Sequence, residues 1–226
     1  MFSKIPKDLI IKFKYLLKAS ELINKDLTIC GYCPALIFFE YNLLKELYDF
    51  KYYIYNKTEE KIKNFKQINE NQIILVTWKT YNRIFNMGCN TRIKLCDLDK
   101  KEIKEKSIIT HNGKFIGESI CKISENYLAI GIQHSILIID LIKLKKIKEY
   151  NITEYFRNLL VFNNYLFCGS DSGKIYKYII NQDELELKEK KEQYNSYPIN
   201  SLIKLNKKTM MFSHYKTIFI CDLNEQ

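Results

Sequence analysis

The sequence predicts an all-β chain assembled from repeated hairpins. Three observations carry this. Short apolar runs bounded by polar turns recur along the chain, as in "YLAIGIQHSILIIDL" from Tyr127 to Leu141. The runs follow one pattern: an apolar strand, a small anchor residue and a turn, then an apolar residue about five places on and an acid or its substitute about nine places on. The pattern returns at a spacing near forty residues.

The copies can be taken in order. In "LTICGYCPALIFFEY" the anchor is Gly31, followed by Leu36 and Glu40. In "FNMGCNTRIKLCDL" it is Gly88, followed by Ile93 and Asp97. In the third copy it is Gly131, followed by Ile136 and Asp140. In "YLFCGSDSGKIYKYI" it is Gly169, where the turn is one residue longer and Ile175 and Tyr178 take the places of Ile136 and Ile139. In "MMFSHYKTIFICDL" it is Ser213, followed by Ile218 and Asp222. The anchors 31, 88, 131, 169 and 213 are separated by steps of 57, 43, 38 and 44 residues. Among known repeat lengths, a period near forty marks a β-propeller, and each hairpin is then the middle of a four-stranded blade.

The other strands follow from the anchors. Ser119 and Ser201 lie twelve residues ahead of Gly131 and Ser213. Both begin a Ser-apolar-apolar-Lys-apolar run, ending at Ile123 and Leu205, which is the expected inner strand. Trp78, the only tryptophan, falls in "ILVTW", also read as an inner strand. The charged runs "DLDKKEIKEK", "DLIKLKKIKEY" and "ELELKEKKEQ" come after hairpins and read as outer strands. Lysine on an open sheet edge discourages edge-to-edge pairing. The long first step is assigned to a polar insertion, residues 51–70, forming an outer strand with a long loop or a short helix. Residues 1–20 form a closing strand or a short helix: Leu9, Ile11, Phe13, Tyr15 and Leu17 alternate, while Leu9, Phe13, Leu16 and Leu17 also have helical spacing. The expectation is a propeller of about five four-stranded blades over residues 21–226, open or incomplete.

Composition bounds the class. With 226 residues and 46% hydrophobic residues a packed core is within reach. No run approaches the roughly 18 apolar residues that span a bilayer. The lysine-studded N-terminus lacks a small-residue cleavage site and reads as no signal peptide. Seven cysteines at irregular spacing fit a reducing interior, cytoplasmic or nuclear. Cys30-Gly31-Tyr32-Cys33 is a C-x-x-C, but Pro34 and a strand follow where a redox motif needs a helix. No second C-x-x-C completes a zinc site. These thiols read as structural. The formal charge of +10 raises nucleic-acid binding, yet only Arg83, Arg92 and Arg157 are arginine, the residue that forks onto phosphate and guanine.

The residues 110–141 and "GSDSGKIYKY" resemble the WD-repeat β-propellers, with His111 where the family's Gly-His element lies and Tyr178 in the place of its tryptophan. No Trp-Asp dipeptide is present, so the family's His-Asp hydrogen-bond network cannot form in most blades. The resemblance implies a non-enzymatic scaffold for other proteins, a subunit of a larger intracellular complex. The candidate interaction turns are Tyr32, Asn90, Arg92, Gln133, His134, Asp171, His214, Tyr215 and Lys216. Aromatic and Arg side chains are common binding hot spots.

An alternative is an RNA-associated assembly factor, for example in ribosome biogenesis, reaching RNA through a larger complex. A third reading is a ubiquitin-ligase adaptor: "IPKDLIIKFKYLL" resembles the first helix of an F-box at Pro6, Asp8 and Leu9, though that motif's further helices would overlap the first hairpin. His111, His134 and His214 read as exposed turn residues. No nucleophile–base spacing, phosphate loop or metal cluster accompanies them, so no enzyme, cofactor or metal is expected.

Overall fold

A computed structural model describes residues 19–24, 27–32, 35–42, 47–55, 60–80, 89–104, 109–113, 119–132, 134–182, 184–192, 197–214 and 217–222. Among them every regular element is a β-strand. The chain divides into two compact units, Met1–Ile116 and Gly117–Gln226.

The first unit holds two antiparallel sheets. One runs in the order β1 (Ala19–Asn24), β2 (Leu27–Tyr32), β3 (Ala35–Asn42) and β4 (Leu47–Tyr55). The other is β5 (Lys61–Asn69), β6 (Gln72–Thr80), β7 (Cys89–Asp97) and β8 (Glu102–Ile103), with β9 (Ile109–Gly113) also paired to β7. Its outer strand is thus in two pieces. Leu36 and Ile54 of the first sheet pack with Ile62, Phe65, Ile73 and Leu75 of the second.

The second unit holds three sheets. They are β10 (Ser119–Lys122), β11 (Tyr127–Ile132), β12 (Ser135–Asp140) and β13 (Lys145–Asn151); β14 (Phe156–Phe162), β15 (Tyr165–Ser170), β16 (Lys174–Asn181) and β17 (Glu184–Glu192); and β18 (Ile199–Lys204), β19 (Thr209–His214) and β20 (Thr217–Asp222). Every described neighbour pair is antiparallel and consecutive, apart from β9 on β7, as hairpin connections require.

The repeat has physical causes. Gly131 pairs with Ile136, Gly169 with Ile175, and Ser213 with Ile218, one row back from each hairpin tip. The glycines are there for close approach. A Cβ on Gly131 would lie 2.5 Å from Ser119 Oγ, and one on Gly169 would lie 2.6 Å from Ile199 Cγ2 on the next sheet. Ser119 pairs with Gly131 and Ser201 with Ser213, so the inner-strand register read from the sequence holds. The acid nine places on ends the third strand and caps the turn after it. Asp140 Oδ1 accepts from the amides of Ile142 (2.9 Å) and Lys143 (2.8 Å). Asp97 Oδ1 accepts from the Lys100 amide at 3.1 Å.

Three expectations need correction. Residues 51–70 are no insertion: 51–55 complete β4, and Lys61–Asn69 is the inner strand of the second sheet, with Ile62 and Phe65 buried. The lysines and asparagines on its half-buried positions gave it a polar look. Trp78 lies on β6, the second strand of its sheet, not the inner one. His111 lies on β9, paired with Thr91, and not in a turn. Gly88 lies outside the described residues. The pair matching Gly131–Ile136 in the second sheet is Val76–Ile93, 17 positions apart instead of 5, because β6 and β7 run on to Thr80 and Cys89. Residues 1–18 also lie outside the described residues.

Candidate functional site

The candidate interaction residues scatter over the sheets. His134 is exposed in the β11–β12 turn, and its carbonyl accepts from the Ile152 amide at 2.7 Å. Asp171 is exposed in the β15–β16 turn and takes Arg157 Nε on Oδ1 at 2.5 Å. Tyr32 ends β2, opposite Ala35, and His214 ends β19, opposite Thr217. Asn90 and Arg92 are strand residues on β7, opposite Lys79 and Thr77, not turn residues. The long hairpin connection displaces the turn from them. Gln133, Tyr215 and Lys216 lie outside the described residues.

Arg92 instead belongs to a buried polar cluster. Glu60 sits one residue ahead of β5 and is 1% exposed. Its Oε2 accepts from Thr77 Oγ1 at 2.9 Å and meets Lys94 Nζ at 2.9 Å. Its Oε1 meets an Arg92 guanidinium nitrogen at 2.5 Å. Lys94 is 0% exposed. Burial alone would raise the Glu60 carboxyl. The Lys94 and Thr77 hydrogen bonds and the two positive charges outweigh it and hold the group below its usual range.

The same cluster is built again in the second unit. Glu154 lies two residues ahead of β14. Its Oε2 accepts from Ser172 Oγ at 2.7 Å, and its Oε1 takes Lys174 Nζ at 2.9 Å and Tyr176 OH at 3.1 Å. Ser170 Oγ lies 3.0 Å from Ser172 Oγ and accepts from the Lys174 amide at 2.9 Å. Glu154 too is held low against the upward pull of burial, by hydrogen bonds from Ser172, Lys174 and Tyr176 and by the Lys174 charge.

Strand register shows the correspondence. Ile62 pairs with Thr77 and Phe156 with Ser170, and each glutamate is two residues ahead of that inner-strand residue. Arg92 and Lys94 flank Ile93; Lys174 and Tyr176 flank Ile175. Chemically these are closed clusters: each carboxylate oxygen already accepts from a donor. They join three strands of one sheet and offer no free base. Sequence reading missed both, because two glutamates 94 residues apart announce nothing until register aligns them. The signal was a Glu ahead of an inner strand followed by a cation beside the apolar residue of the third strand.

Among the described residues Cys96, Cys121 and Cys168 are buried free thiols and Cys221 is half-buried. Ile130, Cys168 and Phe212, the counterparts of Cys30, are all buried. Burial pushes the Cys96 thiol up to about 12, and that of Cys168 well above its ordinary value. An open groove of 520 Å³ beside the β5–β6 turn is lined by Asn69, Glu70, Asn71, Gln72, Asp97 and Asp99. Among the described residues no group of three His, Cys, Asp or Glu side chains has metal-binding geometry. No helix among them is long and apolar enough to cross a membrane.

Consecutive antiparallel sheets, each a meander packed on the next within its unit, define the β-propeller class. Solved structures match the chain. One is the β-propeller domain of Cps50 (Swd1) from Myceliophteria thermophila, at TM-score 0.62 and 12% identity, over 88% of this chain and 67% of that one. At that identity the likeness shows the fold alone. No family model matches the chain, and no curated protein does.

Proposed function

We propose that this chain is a non-enzymatic interaction scaffold of the WD-repeat type, a subunit of a larger intracellular complex. The observation that carries the reading is the use made of polar chemistry. Among the described residues, two clusters that bring acids, cations and hydroxyls together are each spent on tying strands of one sheet, as Glu60 does with Thr77, Arg92 and Lys94. Sheets packed within a unit, with exposed turn residues such as His134 and Asp171, suit a surface that holds other proteins. The solved neighbour is likewise a propeller domain.

The test is purification of the tagged chain from its own cells, with and without RNase, followed by mass spectrometry. A defined set of proteins that survives RNase is expected. Loss of that set on RNase treatment overturns the reading and favours RNA-associated assembly, in which the +10 charge becomes mechanism.

A further inference from the structure

The second unit shows twice how one sheet covers the next, and leaves a third such face bare. On the β10–β13 sheet, Cys121, Ala129 and Ile138 form one row across three strands, beside Ile136. All are buried in one cluster with Phe156, Cys168 and Tyr176 of the following sheet. On the β14–β17 sheet the matching row is Leu160, Phe167 and Lys177, beside Ile175; of these Leu160, Phe167 and Ile175 pack in one cluster with Ile199, Leu202, Met210 and Phe212 of the β18–β20 sheet. On that last sheet the matching row is Ile203, Met211 and Ile220, beside Ile218. Here Ile218 is 64% exposed, Ile220 67% and Ile203 45%, where Ile136 and Ile138 are 0%. Three isoleucines this open, in register on one face, mark an interaction surface.

We propose that this face takes a blade-type β-sheet of a different polypeptide. The inference rests on the scaffold reading and names its docking surface. The repeat states the partner's chemistry: an apolar sheet face offering residues like Ile199, Leu202, Met210 and Phe212, the set that covers the equivalent face one sheet earlier. Charge states the rest. Exposed Lys207 and Lys208 stand at the β18–β19 turn beside the row, and the whole chain carries +10. A second copy would bring like charge to like charge, whereas a partner with an acidic rim is complementary.

The experiment places a benzophenone amino acid at Ile220 of the full chain, irradiates it in its own cells and maps the adduct. Exposed Ile142, 74% open on another sheet, serves as control position. The expected adduct joins a different polypeptide, on an extended peptide of alternating apolar residues. The two purified chains then rebind, more weakly as salt rises, and I218K/I220K weakens them about a hundredfold with the melting temperature unchanged. An adduct within residues 1–116 of the same chain overturns the proposal, since the chain then covers its own face. So does an adduct to a second copy, a pattern no richer than at Ile142, or undiminished binding by I218K/I220K. A protein set that survives RNase, together with an internal adduct, would sink this inference alone and leave the scaffold standing.

Discussion

The second and fourth sheets carry the same polar cluster, yet at different depths. In the second, Glu60 is 1% exposed and Lys94 0%. In the fourth, Glu154 is 15% exposed and Lys174 27%. The donor types differ in step. The deep cluster has two cations and a threonine. The shallow one has one cation, a serine and a tyrosine. A deeply buried carboxylate needs more opposing charge to stay ionised, because water contributes less. In the other sheets the third strand brings no cation to the matching places. Their places on the third strand hold Ala35 and Ile37, Ser135 and Leu137, and Thr217 and Phe219. The comparison teaches that one register can carry a polar tie or a plain apolar contact, and that depth sets what the tie is worth.

The largest expected effect is at the deep cluster. Glu60→Gln leaves the buried Lys94 ammonium without its carboxylate. It should cost about 3–5 kcal/mol, read as a lower denaturation midpoint. Replacing both partners, Glu60→Leu with Lys94→Met, should recover most of that loss, since two apolar groups leave no charge stranded. A double variant as unstable as the single one would refute the charge-pair account and point to packing.

Glu154→Gln is the matched test at the shallow cluster. Lys174 is part-exposed and can turn to water, so the cost falls to about 1–2 kcal/mol. Equal losses at Glu60 and Glu154 would mean that depth does not govern these clusters.

Acid titration sharpens the same contrast. Both glutamates have a folded pKa below the ordinary 4.5, so the unfolded chain binds their protons first as pH falls. The stability they contribute is therefore complete above pH 4.5 and drains away below it, as pH falls through each folded value. Thermal unfolding followed from pH 7 to pH 3 should show a plateau and then a decline. In Glu60→Gln that decline should flatten. A slope identical to that of the parent chain would exclude Glu60 as its source.

How much of this was legible in the sequence follows from what each residue type does. Gly131, Gly169 and Asp140 were readable because each answers a local demand that few residue types meet: a close approach or a capped turn. The register of Ser119 and Ser201 was readable because the repeat fixes it. The second sheet was misread where the repeat stretches. Its β6 and β7 run on to Thr80 and Cys89, so Gly88 drew the anchor away from Val76, and β5, with lysines at half-buried positions, resembled a loop. The polar clusters were invisible for a different reason. They join residues 32 and 34 apart in one sheet and 18 to 22 apart in the other, as from Glu60 to Arg92 and Lys94, and from Glu154 to Ser172 and Tyr176. Only strand pairing brings such residues together.

The smallest expected effect lies at the rim of the shallow cluster. Arg157 and Asp171 meet at 2.5 Å, but their side chains are 38% and 47% exposed. Asp171 lies between Ser170 and Ser172, so a backbone shift there would reach Glu154 through the Ser172 hydroxyl. Asp171→Asn keeps the shape and removes the charge. Water already screens both partners, so the loss should be at most about 0.5 kcal/mol, and smaller still in 1 M salt. If Asp171→Asn instead costs as much as Glu154→Gln, and salt does not reduce the difference, the pair is holding the turn that aims Ser172 at Glu154. The shallow cluster would then extend to the surface, and the contrast with the sealed Glu60 cluster would be one of architecture as well as depth.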